Sequence, residues 1–225
     1  PFLWGVDPLD WPSSIFYLLN GNDSIYGSNL VAFGDDIYAA AGDDNISGNA
    51  GNDILNGGDG DDEIWGGDGN DELIGETGDD EIRGEAGQDH IDGGTGSDHL
   101  MGGLDNDFVN GNVGDDLLQG DDGNDELIGS TGNDFIDGGN DDDTVWGGTG
   151  SDQIRGGDGV DILRGQQDSD DIDGGAGDDD IRGGQGDDYV FGGDGNDSIR
   201  GGVGHDELEG GNGNDIIRAA FGDDW

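Results

Sequence analysis

Aspartate returns every nine residues along most of this chain. Asp53, Asp62, Asp71, Asp80, Asp89, Asp98, Asp107, Asp116, Asp125, Asp134, Asp143, Asp152, Asp161, Asp170, Asp179, Asp188, Asp197, Asp206 and Asp215 form one unbroken series. A carboxylate offers only oxygen acceptors, and a long array of them suits small, hard, oxygen-preferring cations. The same array does not suit nucleic acid, whose phosphates need a basic surface. The 225 residues hold 56 acids against 6 basic residues, all arginine, for a formal net charge of -50. There are no cysteines, hence no thiolate metal site and no disulfide framework. No H-E-x-x-H or G-x-S-x-G segment occurs, and without lysine there is no P-loop. Acid pairs recur in every turn, so none marks a catalytic pair. An enzymatic role is not expected of this chain.

Composition alone points to disorder. Glycine supplies 53 residues and only 29% are hydrophobic, so little apolar surface opposes chain entropy and charge repulsion. The periodicity argues the other way. From Gly48 to Arg218 the chain divides into 19 nine-residue units without insertion or deletion. Position one is always glycine, position six always aspartate, and position eight always Ile, Leu or Val. Position four is glycine except at Asp105, Asp141 and Asp168. Toward the N-terminus Asp44 with Ile46 and Asp35 with Ile37 keep the frame. Asp23 with Ile25 keeps it after a three-residue insertion, Gly27 to Asn29.

Each unit has six turn-forming residues and then three that suit a strand. Side chains alternate along a strand, so position eight points inward while seven and nine face out. Two units make one turn of a flattened coil, and the position-eight side chains of two facing sheets meet in a thin core. In Gly66 to Gly75, Leu73 fills that core, Glu72 and Ile74 face out, and Asp68 and Asn70 decorate the loop. The core is weak alone. Burying each aliphatic side chain is worth roughly 1.5–3 kcal/mol, whereas ordering each residue costs about 1–2 kcal/mol. One anchor cannot order nine residues.

The pattern resembles the G-G-x-G-x-D-x-U-x nonapeptide of the RTX (repeats-in-toxin) family, where U is a large aliphatic residue. The resemblance implies an all-β fold: a calcium-stabilised, right-handed parallel β-roll with two parallel sheets and 18 residues per turn. It implies a bacterial protein exported by type I secretion, secreted, extracellular or at the cell surface. It implies that the position-six aspartates, Asp53 through Asp215, are calcium ligands; Asp23, Asp35 and Asp44 fit the frame more loosely. Calcium takes six to eight oxygens. Loops eighteen residues apart stack, and an ion between them can take an aspartate carboxylate and bare glycine carbonyls from each. Filling nearly every stacked pair takes about 20 Ca2+ ions, whose charge of roughly +40 offsets most of the formal charge. Binding is then coupled to folding. Asp105, Asp141 and Asp168 are expected as tolerated variants, because aspartate accepts left-handed angles. The two loops before Gly48, with Phe33 in a glycine position, are expected to be irregular. Ice-binding members carry Thr and Asn rows at positions three and five; here only Thr131 with Asn133 fits, and ice binding is not expected.

All six arginines occupy position nine, and Arg164, Arg182, Arg200 and Arg218 are eighteen apart. They form a ladder that reads either as a docking strip for an acidic partner or glycan, or as local relief of negative charge with Asp180 nearby. Phe108, Ile128, Trp146 and Ile162 share the ladder's sheet, and Leu117, Phe135, Tyr189 and Phe191 the opposite one. They read as a contact surface or as ordinary scatter. His90, His99 and His205 read as surface fillers. The N-x-S sequons at Asn22, Asn45 and Asn196 are what Asn- and Ser-containing loops produce by chance.

Four regions follow: 1-19, a non-repeat aromatic cap or interface segment with Phe2, Trp4, Trp11, Phe16 and Tyr17; 20-47, irregular repeats; 48-218, the regular roll; 219-225, a truncated repeat forming an open end or interface. No apolar run is long enough to span a membrane. The chain starts at Pro1 without a signal-peptide pattern and reads as a processed product or fragment. Two functions remain open. One is a calcium-binding extracellular structural protein, stacking head to tail with copies of itself into a filament or meeting another extracellular protein or glycan. The other is a calcium-triggered folding module of a larger exported toxin, adhesin or hydrolase.

Overall fold

The computed structural model describes residues 15–17, 20–27 and 34–222, with backbone alone at 15–17 and 221. Phe2, Trp4, Trp11, Phe33 and the side chains of Phe16 and Tyr17 lie outside the described residues, as do the expectations placed on them. Strands β1 (Ile15–Tyr17), β2 (Ser24–Tyr26), β3 (Asp36–Ala41) and β4 (Asn45–Ala50) are followed by one strand per nonapeptide, ending with β23 (Ile216–Phe221). Odd-numbered strands form a 12-stranded sheet and even-numbered strands an 11-stranded one. Pairing is parallel and steps by eighteen: Ile37 faces Leu55, Leu55 faces Leu73, and Ile64 faces Ile82. The fold is an all-β parallel solenoid of two sheets, two nonapeptides to the turn. It begins inside the non-repeat segment, because β1 pairs in parallel with β3. No helix among the described residues is long and apolar enough to cross a membrane.

The strands differ from the three-residue segments expected. Within the regular roll each has six residues, such as Ile54–Asp59 and Glu72–Thr77. Cα pairing covers positions seven to nine (Ile54 with Glu72, Leu55 with Leu73, Asn56 with Ile74). It skips position one and resumes at two and three (Gly58 with Glu76, Asp59 with Thr77). The chain turns a corner at position one and keeps pairing beyond it. Side-chain alternation marks only the part of the strand that faces the core, whereas backbone pairing continues around the bend.

The core is one continuous file of position-eight side chains from Ile25 to Ile199, with Ala39 added and Leu208 packed against it. Expecting every anchor to be buried fails at the last described turn. Ile217 on β23 is 45% exposed, because no later described strand covers it. Each interior anchor is covered by strands of its own sheet and by the facing one.

Candidate metal centre

Position six ends the loop that precedes each strand, and backbone pairing holds it there. The carbonyl of Asp53 accepts the N–H of Glu72 at 2.8 Å, and Asp71 accepts that of His90 at 2.8 Å. The aspartate N–H donates to the carboxylate one turn on: Asp53 N–H to Asp71 Oδ1 and Asp71 N–H to Asp89 Oδ1, both 2.8 Å. The link repeats from Asp23 to Asp44 through to Asp197 and Asp215. Two files of carboxylates therefore run along the two edges of the coil.

Every buried polar or charged residue among the described ones is a position-six aspartate: Asp35, Asp44, then each from Asp53 to Asp206. Asp35 and Asp44, which fit the frame loosely by sequence, belong to the same files. Asp23 and Asp215, at the two ends, are half-buried. From Asp44 to Asp197 each carboxylate keeps its Oδ2 buried without a hydrogen-bond partner.

That Oδ2 explains the invariant glycine. A methyl group on Gly129 would strike Asp134 Oδ2 and come within 2.7 Å of the Gly147 carbonyl oxygen. Glycine is needed here for space. Position two requires a positive φ: Asn49, Glu76, Glu85, Ser130 and Gln166 meet it with φ between 71° and 84°, while glycines there such as Gly67, at φ 113°, sit where a Cβ would strike the Asn49 carbonyl oxygen. Asp105, Asp141 and Asp168, at position four, adopt φ of 75°, 75° and 70°, in the left-handed region that aspartate tolerates. A direct comparison follows. Gly129→Ala should lower the stability of the calcium-loaded coil by about 1–3 kcal/mol through overpacking. Ser130→Asn, one residue on, should change it by no more than about 0.5 kcal/mol. Urea midpoints at saturating calcium measure both.

The electrostatics are severe. Burial, the largest influence, pushes Asp53 and Asp62 up to about 6, Asp71, Asp80, Asp89 and Asp98 to about 7, and Asp107, Asp143 and Asp170 to about 8. Like-charged neighbours add to this, as Asp89 and Asp125 do at Asp107, while the backbone N–H bond opposes it. The arginines pair elsewhere: Arg83 with Glu81 and Glu63, Arg164 and Arg182 with Asp180.

No three acidic or imidazole side chains converge among the described residues. A cation held here must draw most of its oxygens from the backbone, and the loops present them. The space a Cβ would fill at Gly48 lies between Asp53 Oδ2 and the Gly66 carbonyl; at Gly66 it lies between Asp71 Oδ2 and the Gly84 carbonyl. These are hard oxygen donors of the kind calcium takes, one carboxylate and stacked carbonyls per loop, so the residues present fit the ion.

Position five does more than decorate the loop, the role the sequence suggests for Asn70. Asn70 donates its N–H to Asn52 Oδ1 at 3.1 Å and accepts the Gln88 N–H on its own Oδ1 at 3.2 Å. Asp61, Asp79 and Ser97 repeat the link, as do Asp115, Asn133 and Ser151. Position six reaches back one turn and position five reaches forward, so the loops are tied both ways. The signal was present in the sequence, since position five is Asn, Asp or Ser in all regular units except those of Gln88, Val160 and His205.

The remaining candidates do not assemble. His90 and His99 lie on different sheets. His90 stacks on Phe108 with ring centroids 4.6 Å apart, and His99 Nε2 lies 3.2 Å from Gln119 Oε1. The arginine ladder does form: Arg164, Arg182, Arg200 and Arg218 face one another across successive strands. Arg164 is tied inward, donating to the Asp180 carboxylate and to the Leu163 and Asp180 carbonyls.

A parallel solenoid whose loops present files of buried carboxylates and carbonyls, without cations of its own to balance them, defines a repeat protein built to take up hard cations. The chain belongs to the RTX calcium-binding nonapeptide repeat family, whose model matches residues 32–64, 65–100, 92–127, 119–154, 155–190 and 191–225. Calcium binding is thus a property of its repeats. No curated protein sequence matches the chain. Among solved structures it is similar to a hyperactive, Ca2+-dependent, β-helical antifreeze protein from an Antarctic bacterium. The two share 26% identity over 92% of this chain and 83% of that one, with a TM-score of 0.48.

Proposed function

We propose that this chain is a calcium-folded structural element that works outside a bacterial cell, with no catalytic role. The observation that carries this reading is the double file of buried carboxylates whose Oδ2 atoms take no hydrogen bond. Burying unpaired charge costs several kcal/mol per group, and here the cost repeats at every nonapeptide. Bound calcium would supply the missing positive charge and cross-link adjacent turns. Asp44 and Asp53 through Asp197 would each offer Oδ2 and the stacked glycines their carbonyls, with about 20 ions along the whole repeat. Extracellular calcium modules bind at about 10⁻⁴–10⁻³ M, so folding would await export.

End-on stacking extends the reading. Among the described residues β23 is the outermost strand of its sheet and carries the exposed anchor Ile217, and a second coil placed end-on would pair with the strand and cover the side chain. Sheet edges of this kind pair readily.

Two measurements test the proposal. Asp134→Asn keeps the Oδ1 acceptor and removes the charge, so titration calorimetry should show about one or two fewer ions bound; unchanged stoichiometry and affinity would remove the aspartates from the ligand set. Electron microscopy of the calcium-loaded protein at high salt should show filaments formed by end-on stacking. Compact monomers at high concentration would favour the role of folding module within a larger exported protein.

A further inference from the structure

The two outer faces of the C-terminal turns carry opposite charge. On the odd-numbered sheet, strands Ile162–Gln167, Asp180–Gln185, Ser198–Val203 and β23 present Arg164, Arg182, Arg200 and Arg218. Asp180 is the one acid at positions seven and nine of those strands. On the even-numbered sheet, strands Asp171–Ala176, Tyr189–Asp194 and Glu207–Asn212 present Asp171 and Asp173, then Tyr189 and Phe191, then Glu207 and Glu209. This polarity is built into a chain whose formal charge is -50. Arg182, Arg200 and Arg218 are exposed, as are Asp171, Tyr189, Glu207 and Glu209. Arg200 and Arg218 make no hydrogen bond or ion pair among the described residues.

We propose that these faces pair between copies of this chain, side by side, the arginine face of one coil on the acidic-aromatic face of the next. The order of residues along the coil supports a second copy as the occupant. Strands alternate between the sheets at half-turn steps, so parallel coils set side by side bring each odd strand opposite its even-numbered neighbour. Arg182 then meets Asp171 and Asp173, Arg200 meets the rings of Tyr189 and Phe191, and Arg218 meets Glu207 and Glu209. Charge pairs flank a central cation–π contact. The next pair along would set Arg164 against Arg155, a like-charge clash. It is relieved because Arg164 is already held by Asp180 at 2.8 Å and Arg155 lies over the Phe135 ring, 5.0 Å from its centroid. The contact joins two different faces, so it does not close and propagates into a raft of parallel coils. It requires the calcium-folded coil proposed above, but not end-on stacking.

The test is sedimentation and small-angle scattering of the calcium-loaded protein at low and high salt. Association should raise the cross-sectional radius, which end-on stacking leaves unchanged, and should weaken with salt. R182E/R218E should weaken self-association about tenfold or more, and D173R/E209R should do the same. The variant carrying all four changes should restore it, because the two faces are again complementary. Circular dichroism of each variant in calcium shows whether the coil folds; folded variants that fail to associate report on the faces alone. Restoration in the four-fold variant supports the pairing. Two results would overturn it: association unaffected by D173R/E209R, or a folded wild-type protein that stays monomeric at low salt while its arginine face binds a sulfated polysaccharide.

Discussion

Removing calcium at pH 7.5 is expected to abolish the coil. The far-UV β signal should vanish and the radius of gyration should rise from about 20 Å toward about 50 Å, the unfolded value for this length. Both should recover when millimolar calcium returns. The size of the effect follows from what holds each turn. A nonapeptide buries one aliphatic side chain, such as Leu127 or Ile136, worth about 1.5–3 kcal/mol. Against it stand the entropy of nine ordered residues and a buried carboxylate. Asp134 is 2% exposed and its Oδ2 accepts no hydrogen bond. Since each turn leans on both neighbours, loss should spread along the array instead of stopping at one site. Unchanged ellipticity after complete chelation would refute calcium-coupled folding.

The second large effect is a reversal of pH dependence on metal binding. In the metal-free coil the carboxyls of Asp71, Asp107 and Asp143 sit at about 7, 8 and 8, while in the unfolded chain aspartate titrates at about 3.9. Between those values the coil binds more protons than the unfolded chain. Stability of the metal-free coil is therefore greatest in acid and falls as pH rises through about 4 to 8. Without calcium, acidification to about pH 4.5 should restore part of the β signal that is absent at pH 7.5. With calcium the sign inverts, because the ligands must be deprotonated and binding releases protons. Calcium affinity should fall steeply below about pH 6. Titration calorimetry near pH 5, where the metal-free coil is folded and protonated, in two buffers of different ionisation enthalpy measures the released protons. A binding enthalpy identical in both would mean that the carboxylates are already ionised in the metal-free state.

Much of this was legible in the sequence because every unit meets the same surroundings. A feature needed once per turn appears as a column of identical residues. The aliphatic column at Leu55, Ile64 and Leu73 is the buried core, and the aspartate column is the buried carboxylate file, both as the periodicity indicates. The ladder of Arg164 to Arg218 likewise follows from counting eighteens. What the columns could not reveal is which atoms meet across a stack. Position one is always glycine and position two often is, yet the first is held by the space beside atoms such as Asp134 Oδ2 and the second by a left-handed φ that Asn49 or Glu76 also adopts. Asn70 belongs to no column of identical residues, yet its Oδ1 accepts the Gln88 N–H and its N–H donates to Asn52 Oδ1, linking turns. The strands ran past their side-chain signal because a backbone can pair around a corner that alternation does not mark. Nor could a repeat register say that Asp180 would take Arg164 and leave Arg200 without a carboxylate. Periodicity determined the coil and its columns, since it records what each unit requires; the tertiary structure alone decided the division of the aspartates from Asp44 to Asp197 into a bonded Oδ1 and an unanswered Oδ2, because that depends on contacts between residues about one turn apart.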